Sequence, residues 1–184
     1  MAPYDPAIHH RHSLRLKGYD YAEAGAYFVT VCAQHRHLLF GEIVDGAMRL
    51  NEAGEIVAAS WEWLSDRYPH VELDESIVMP NHFHGILVIK ESSAAYYRRG
   101  GSRAAPTTIA IGKPLGQLVG AFKTASTKRI NIVRGTPGVP IWQRNYYEHV
   151  IRNERDLEEI REYIVNNPLR WELDSLHPDR SGRL

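Results

Sequence analysis

The chain has 184 residues, enough for one well-packed domain, and its apolar segments are spread evenly with no second cluster, so a single domain is expected over 1–184. No apolar run approaches the ~20 residues that cross a bilayer, so no membrane partner is expected. The lone Cys32 cannot close an internal disulfide, which fits a reducing cytoplasm. The start, Met1-Ala2-Pro3-Tyr4-Asp5-Pro6, lacks a basic segment followed by an apolar core, so no secretory signal is expected. Formal net charge is zero, which taken alone argues mildly against nucleic acid as a partner, because phosphate binding needs local cationic charge. That average hides an asymmetry. Glu42 to Glu75 is acidic, whereas Ser92 to Tyr147 holds no Asp or Glu. Within that second stretch lie Arg98, Arg99, Arg103, Lys113, Lys123, Lys128, Arg129, Arg134 and Arg144, a region suited to approach an anion.

Residues 1–17 read as a flexible tail. Ala26 to Ala33 is rich in β-branched and aromatic residues and predicts a first strand. Phe40 to Val44, a turn at Asp45-Gly46, and Met48 to Leu50 predict a small hairpin. Asn51 is placed to cap a helix in which Ile56, Val57, Ala59, Trp63 and Leu64 recur at helical spacing, ending at Tyr68-Pro69. Val71 to Met79 and His82 to Lys90 read as antiparallel strands joined by a tight turn at Pro80-Asn81. Residues 91–112 lack apolar period and read as a long basic loop. Leu115, Leu118, Val119, Phe122 and Ala125 form the stripe of a second helix. Ile141-Trp142 and Tyr146 to Ile151 predict a fourth main strand, and a third helix is expected from about Leu157 to Asn167. Asp156 is placed to cap it, with Glu159 as capping-box partner. Residues 171–184 read as a polar tail. The order strand, helix, strand, strand, helix, strand is that of an α+β, ferredoxin-like split βαβ fold, an antiparallel sheet with helices packed on one face.

On that frame His82 and His84 begin an inner strand. Side chains alternate along a strand, so both imidazoles share a face while Phe83 points the other way, which makes half a metal site. On the third helix Tyr163 and Asn167 lie about 40° apart beside the apolar stripe, so both can face one cleft. Pro168 disfavours α geometry at Asn167 and is expected to stop the helix there.

Four ordered segments carry a resemblance. They are Gly18-Tyr19-Asp20-Tyr21 through Thr30, Val78-Met79-Pro80-Asn81-His82-Phe83-His84-Gly85, Trp142 through His149, and Tyr163-Ile164-Val165-Asn166-Asn167-Pro168. Together, over about residues 14 to 173, the chain resembles the REP-associated tyrosine transposases, relatives of the insertion-sequence transposases that use one tyrosine and a His-hydrophobic-His motif. The resemblance implies a DNA transposase that cuts and rejoins single-stranded, hairpin-bearing DNA through a covalent 5′-phosphotyrosine. By it Tyr163 is the nucleophile, and His82, His84 and the Asn167 amide oxygen hold one Mg²⁺ or Mn²⁺. Zinc fits on ligand type alone; the family implies the harder ions. Many insertion-sequence relatives carry Gln where this chain has Asn167, one methylene shorter. The protein would act as a monomer or a homodimer.

Arg98, Arg99, Arg103, Lys113, Lys123, Lys128, Arg129 and Arg144 would then track DNA phosphates, and Tyr96, Tyr97, Trp142, Tyr146 and Tyr147 are candidates to stack on unpaired bases, with core packing the alternative for each. His149 is a candidate general base, with a hydrogen-bonded structural histidine as the other reading. His35-Arg36-His37 repeats the motif's spacing without a strand core and reads as surface. His9, His10 and His12 read as part of the tail. Two other functions stay open on the sequence: a domesticated, non-catalytic hairpin-binding protein, and a nucleotide hydrolase of the His-x-His-x-His kind, against which Ile86 stands at the third position.

Overall fold

The strand bearing the histidine pair is buried on both faces, and this places everything else. A computed structural model describes residues 24–90 and 113–180. The expected N-terminal tail, the 91–112 loop with Arg98, Arg99, Arg103, Tyr96 and Tyr97, and the last four residues lie outside the described residues. Four strands, β1 (Gly25–Cys32), β4 (Val71–Met79), β5 (His82–Ile89) and β6 (Tyr147–Ile151), form one antiparallel sheet in the order β4-β5-β1-β6. This is the ferredoxin-like topology, with the histidines on an inner strand. The short strands β2 (Gly41–Val44) and β3 (Ala47–Leu50) pair separately. Their two-residue turn has Asp45 at φ 52° and Gly46 at φ 74°, the doubly positive geometry that twists a hairpin correctly.

Helices α1 (Glu52–Arg67) and α2 (Leu115–Arg134) cover one face of the sheet. Tyr27, Val29 and Val31 of β1 and Phe83 and Leu87 of β5 meet Val57, Trp61, Leu64, Leu118 and Phe122 there. Asn51 caps α1 as expected, its side-chain oxygen accepting from Gly54 N at 3.0 Å. The buried stripe runs through Trp61, however, and Ala59 is exposed. Gly85 is required by this packing. A Cβ there would lie 2.7 Å from the Trp61 ring and 2.8 Å from Phe83.

Helix α3 (Glu154–Val165) lies on the opposite face, where Phe28 and Ile86 pack against Ile164, with Leu157 and Ile160 beside them. Two local expectations are corrected here. The cap is Asn153, whose side chain accepts from Asp156 N at 3.0 Å. Asp156 instead accepts from Arg152 N at 3.2 Å and from His149, so the helix starts before Leu157. At the other end Asn166 is the C-cap, and Asn167, although it precedes Pro168, stays right-handed helical at φ −60°, ψ −42°. The chain then continues directly into a 3₁₀ turn, Pro168–Leu173, which holds Asn167 in the geometry proline disfavours. Arg161 clamps α3 to a bulge in β4, donating from Nε to Asp74 Oδ1 at 2.8 Å and from Nη2 to Asp74 Oδ2 at 2.6 Å. Among the described residues no helix is long and apolar enough to cross a membrane.

Candidate active site

Strand pairing sets Thr30 opposite His84 and Cys32 opposite His82, so these four side chains share the face that α3 crosses. His82 is 0% exposed and His84 2%. Their Nε2 atoms stand 3.0 Å apart. Each ring is oriented from behind: His82 Nδ1 lies 2.8 Å from Asn81 Oδ1, and His84 Nδ1 lies 2.8 Å from Thr30 Oγ1. Phe28 stacks on the His84 ring with centroids 5.3 Å apart and meets the edge of Tyr163 at 6.0 Å. Burial drives His84 down to about 3 and His82 well below the ordinary imidazole value, the latter helped by neighbouring His84 and Arg36. Both rings are therefore neutral, with nitrogen lone pairs free to bind.

α3 brings Tyr163 onto this pair. Its hydroxyl is 3.3 Å from His84 Nε2, and its side chain is partly open to solvent. Burial raises the phenol's pKa, with Asp174 adding to the rise and the Asn167 amide opposing it. The phenol is therefore protonated at neutral pH. One helical turn on, Asn167 is buried and its Oδ1 accepts no hydrogen bond. An orphaned buried oxygen carries a desolvation cost unless a donor or cation meets it.

A residue that sequence reasoning passed over completes the cluster. Asp174 sits just after the 3₁₀ turn, with Oδ2 3.8 Å from His82 Nε2. Ligand atoms of His82, His84 and Asp174 all lie within 4.8 Å of one another. Trp171 anchors this segment: it is buried, and its ring is 6.1 Å from that of His82 and 4.7 Å from that of His177. Asn81 Nδ2 donates to Leu176 O at 2.8 Å. The one signal in the sequence was Trp171, a large apolar side chain in a stretch without helical or strand periodicity. Two neutral imidazoles and the Asp174 side chain, with ligand atoms within 4.8 Å of one another, could hold a divalent cation, and the Asn167 oxygen is a buried acceptor without a hydrogen bond.

The basic residues do not gather here. Lys123 donates to the carbonyls of Gln143 and Arg144 at 2.6 and 3.0 Å, and Arg129 to Ser60 Oγ at 3.2 Å, so both tie elements together. Lys113 lies over the Tyr68 ring at 5.0 Å. Lys128 and Arg144 are exposed and line a groove of about 740 Å³ between α2 and residues 135–144, across the sheet from Tyr163. Of the described aromatics, Trp142 is buried with Nε1 donating to Ser126 Oγ at 2.9 Å, whereas Tyr147 is 45% exposed on the site's face of the sheet. His149 is bonded to Asp156 at 3.0 Å, the structural reading of that histidine. His35 and His37 are exposed.

No family model matches the chain. In sequence and fold the chain is similar to REP-associated tyrosine transposases. A Haemophilus influenzae protein named "Putative REP-associated tyrosine transposase" is 25% identical over 169 residues, 87% of this chain and 84% of that one. A REP-associated tyrosine transposase solved with a REP hairpin bound has the same fold, with TM-score 0.56 and 18% identity over 89% of this chain and 76% of that chain. More specifically, the chain belongs to the same family as a second Haemophilus influenzae protein, named "Uncharacterized protein", which is 39% identical over 178 residues, 96% of this chain and 98% of that one.

Proposed function

We propose that this protein is a metal-dependent tyrosine transposase, a cytoplasmic single-strand DNA endonuclease and strand transferase acting on hairpin-bearing DNA. The observation that carries the reading is the meeting of Tyr163 Oη with the imidazole pair, 3.3 Å from His84 Nε2, which in turn is 3.0 Å from His82 Nε2. Relatives named as tyrosine transposases, one of them solved on a REP hairpin, support it.

In this reading Tyr163 Oη attacks the scissile phosphorus. The P–O3′ bond breaks as the P–Oη bond forms, and the net reaction moves the phenol's proton to the departing O3′, so that strand leaves as a 3′-hydroxyl. The 5′-phosphate stays on the tyrosine as an ester that conserves the bond for rejoining. His82 and His84 would hold a divalent cation, with Asp174 and the Asn167 oxygen as candidate further donors. When bound, such a cation polarises the scissile phosphate and favours the phenolate over the phenol. The neutral imidazoles leave the cation's charge undiminished, and a carboxylate at Asp174 offsets only one unit of it. Phe28 fixes the orientation of the His84 ring and the edge of Tyr163 together. Asn167 holds its place by continuing the helical path of α3, four residues beyond the nucleophile.

Incubating the protein and Tyr163→Phe with labelled hairpin-bearing single strands, with Mn²⁺ or with chelator, tests this. The expected result is a covalent band on a denaturing gel that needs both Mn²⁺ and Tyr163. Hairpin binding by both proteins with no such band in either would overturn the catalytic reading in favour of a non-catalytic DNA-binding protein.

A further inference from the structure

His82 has no choice of tautomer. The Asn81 side-chain nitrogen donates to two backbone carbonyls, Arg36 O at 3.3 Å and Leu176 O at 2.8 Å. Carbonyls only accept, so the amide oxygen is the atom facing His82 Nδ1 at 2.8 Å, and it too only accepts. His82 therefore carries its proton on Nδ1. Its bare Nε2 points at His84 Nε2, 3.0 Å away.

Two lone pairs do not face each other at that distance. Without a cation, a proton on His84 Nε2, the nitrogen that Tyr163 Oη also approaches at 3.3 Å, lets His84 donate to His82 and leaves His84 Nδ1 a buried acceptor. Thr30 Oγ1, 2.8 Å away and on a residue only 8% exposed, is the partner that donates to it. When both Nε2 atoms act as ligands, the His84 proton has to sit on Nδ1 instead, and the same partner must accept. A hydroxyl does both by rotating about its C–O bond, whereas a carbonyl or an ammonium does only one.

We propose that Thr30 is a positioning residue whose hydroxyl reverses its hydrogen bond to His84 as a divalent cation binds. The histidine pair is then self-satisfied when empty and a two-nitrogen ligand set when loaded. The proposal rests on the reading that this pair holds Mg²⁺ or Mn²⁺.

The test is ¹⁵N spectroscopy of the histidine rings in the full chain with and without Mg²⁺, beside Mn²⁺ titration calorimetry of wild type, Thr30→Ser and Thr30→Val. The expected result is one unchanged tautomer at His82 and a move of the His84 proton from Nε2 to Nδ1 on adding Mg²⁺. Thr30→Ser should bind Mn²⁺ as wild type does, and Thr30→Val roughly 10- to 100-fold more weakly. A His84 tautomer that does not change with Mg²⁺, or Thr30→Val binding Mn²⁺ as tightly as wild type, would overturn the proposal. If Thr30→Val fails to fold, the wild-type spectra decide. Wild type that binds neither cation would overturn the metal reading itself, whereas cation binding and adduct formation with a fixed tautomer would sink the Thr30 role alone.

Discussion

At the scale of single residues, the burial of the histidine pair has a measurable signature. The unfolded chain takes up protons on His82 and His84 below about pH 6.5, while the folded chain does not, because burial holds both well under that value. The unfolded state then binds more protons, so stability is complete above about pH 6.5 and falls as pH drops toward 3, by up to about 1.4 kcal/mol per pH unit per ring. Urea unfolding at pH 7.5, 6 and 5 should show this loss, and His84→Phe should flatten it. Asp74, held below the ordinary carboxylate range chiefly by its hydrogen bond from Arg161, leaves the window above that range to the imidazoles. Asp174 makes a second prediction. Asp174→Ala should weaken Mn²⁺ binding at least tenfold, on the order of the loss seen for partners of metal ligands, and calorimetry giving equal affinities would remove Asp174 from the donor set. That His82, His84 and Tyr163 come together was legible because their offsets along one strand and one helix fix their faces. Asp174, Thr30 and Asn81 were not. Asp174 reaches His82 from 92 positions away through a segment without periodicity, and the roles of Thr30 and Asn81 depend on register and proton placement.

At the scale of elements, the site is two surfaces pressed together, an inner strand and α3. Gly85 lets β5 pass under Trp61, and Gly85→Ala should lower stability by about 1–3 kcal/mol through overpacking. A thermal melt matching wild type would contradict that close approach. Arg161 lies two residues from Tyr163 and pins α3 to β4 through both Asp74 oxygens. The pair lies at the surface and is screened by solvent, so Arg161→Ala should cost little stability. Its larger effect should fall on the rate of adduct formation, because the clamp sets where the tyrosine sits. The strands, the hairpin turn and the Asn51 cap were readable because each rests on neighbours in sequence. The start of α3 was misplaced because Asp156 and Asn153 are both good capping residues, and tertiary bonding to His149 decided between them. Asn167 stayed helical because the turn after it closes on itself, a condition that the Pro168 rule alone does not contain.

At the scale of the whole molecule, the chain's charge asymmetry resolves into two kinds of cation. Lys123 and Arg129 bond internally and should matter for stability, whereas Lys128 and Arg144 stand exposed around one groove. Lys128→Ala with Arg144→Ala should weaken hairpin binding and lower its salt slope by about one for each DNA phosphate left without its cation, with little change in melting temperature. An unchanged slope would move the DNA path elsewhere. The central claim concerns one bond, between Tyr163 and a DNA 5′-phosphate. The most direct measurement is mass spectrometry of protease- and nuclease-digested protein after reaction with a hairpin-bearing single strand and Mn²⁺. A nucleotide 5′-phosphate on the peptide containing Tyr163, absent when Mn²⁺ is chelated, is the predicted result. An unmodified Tyr163 peptide alongside cleaved DNA, or a nucleotide on a different tyrosine, would contradict the account.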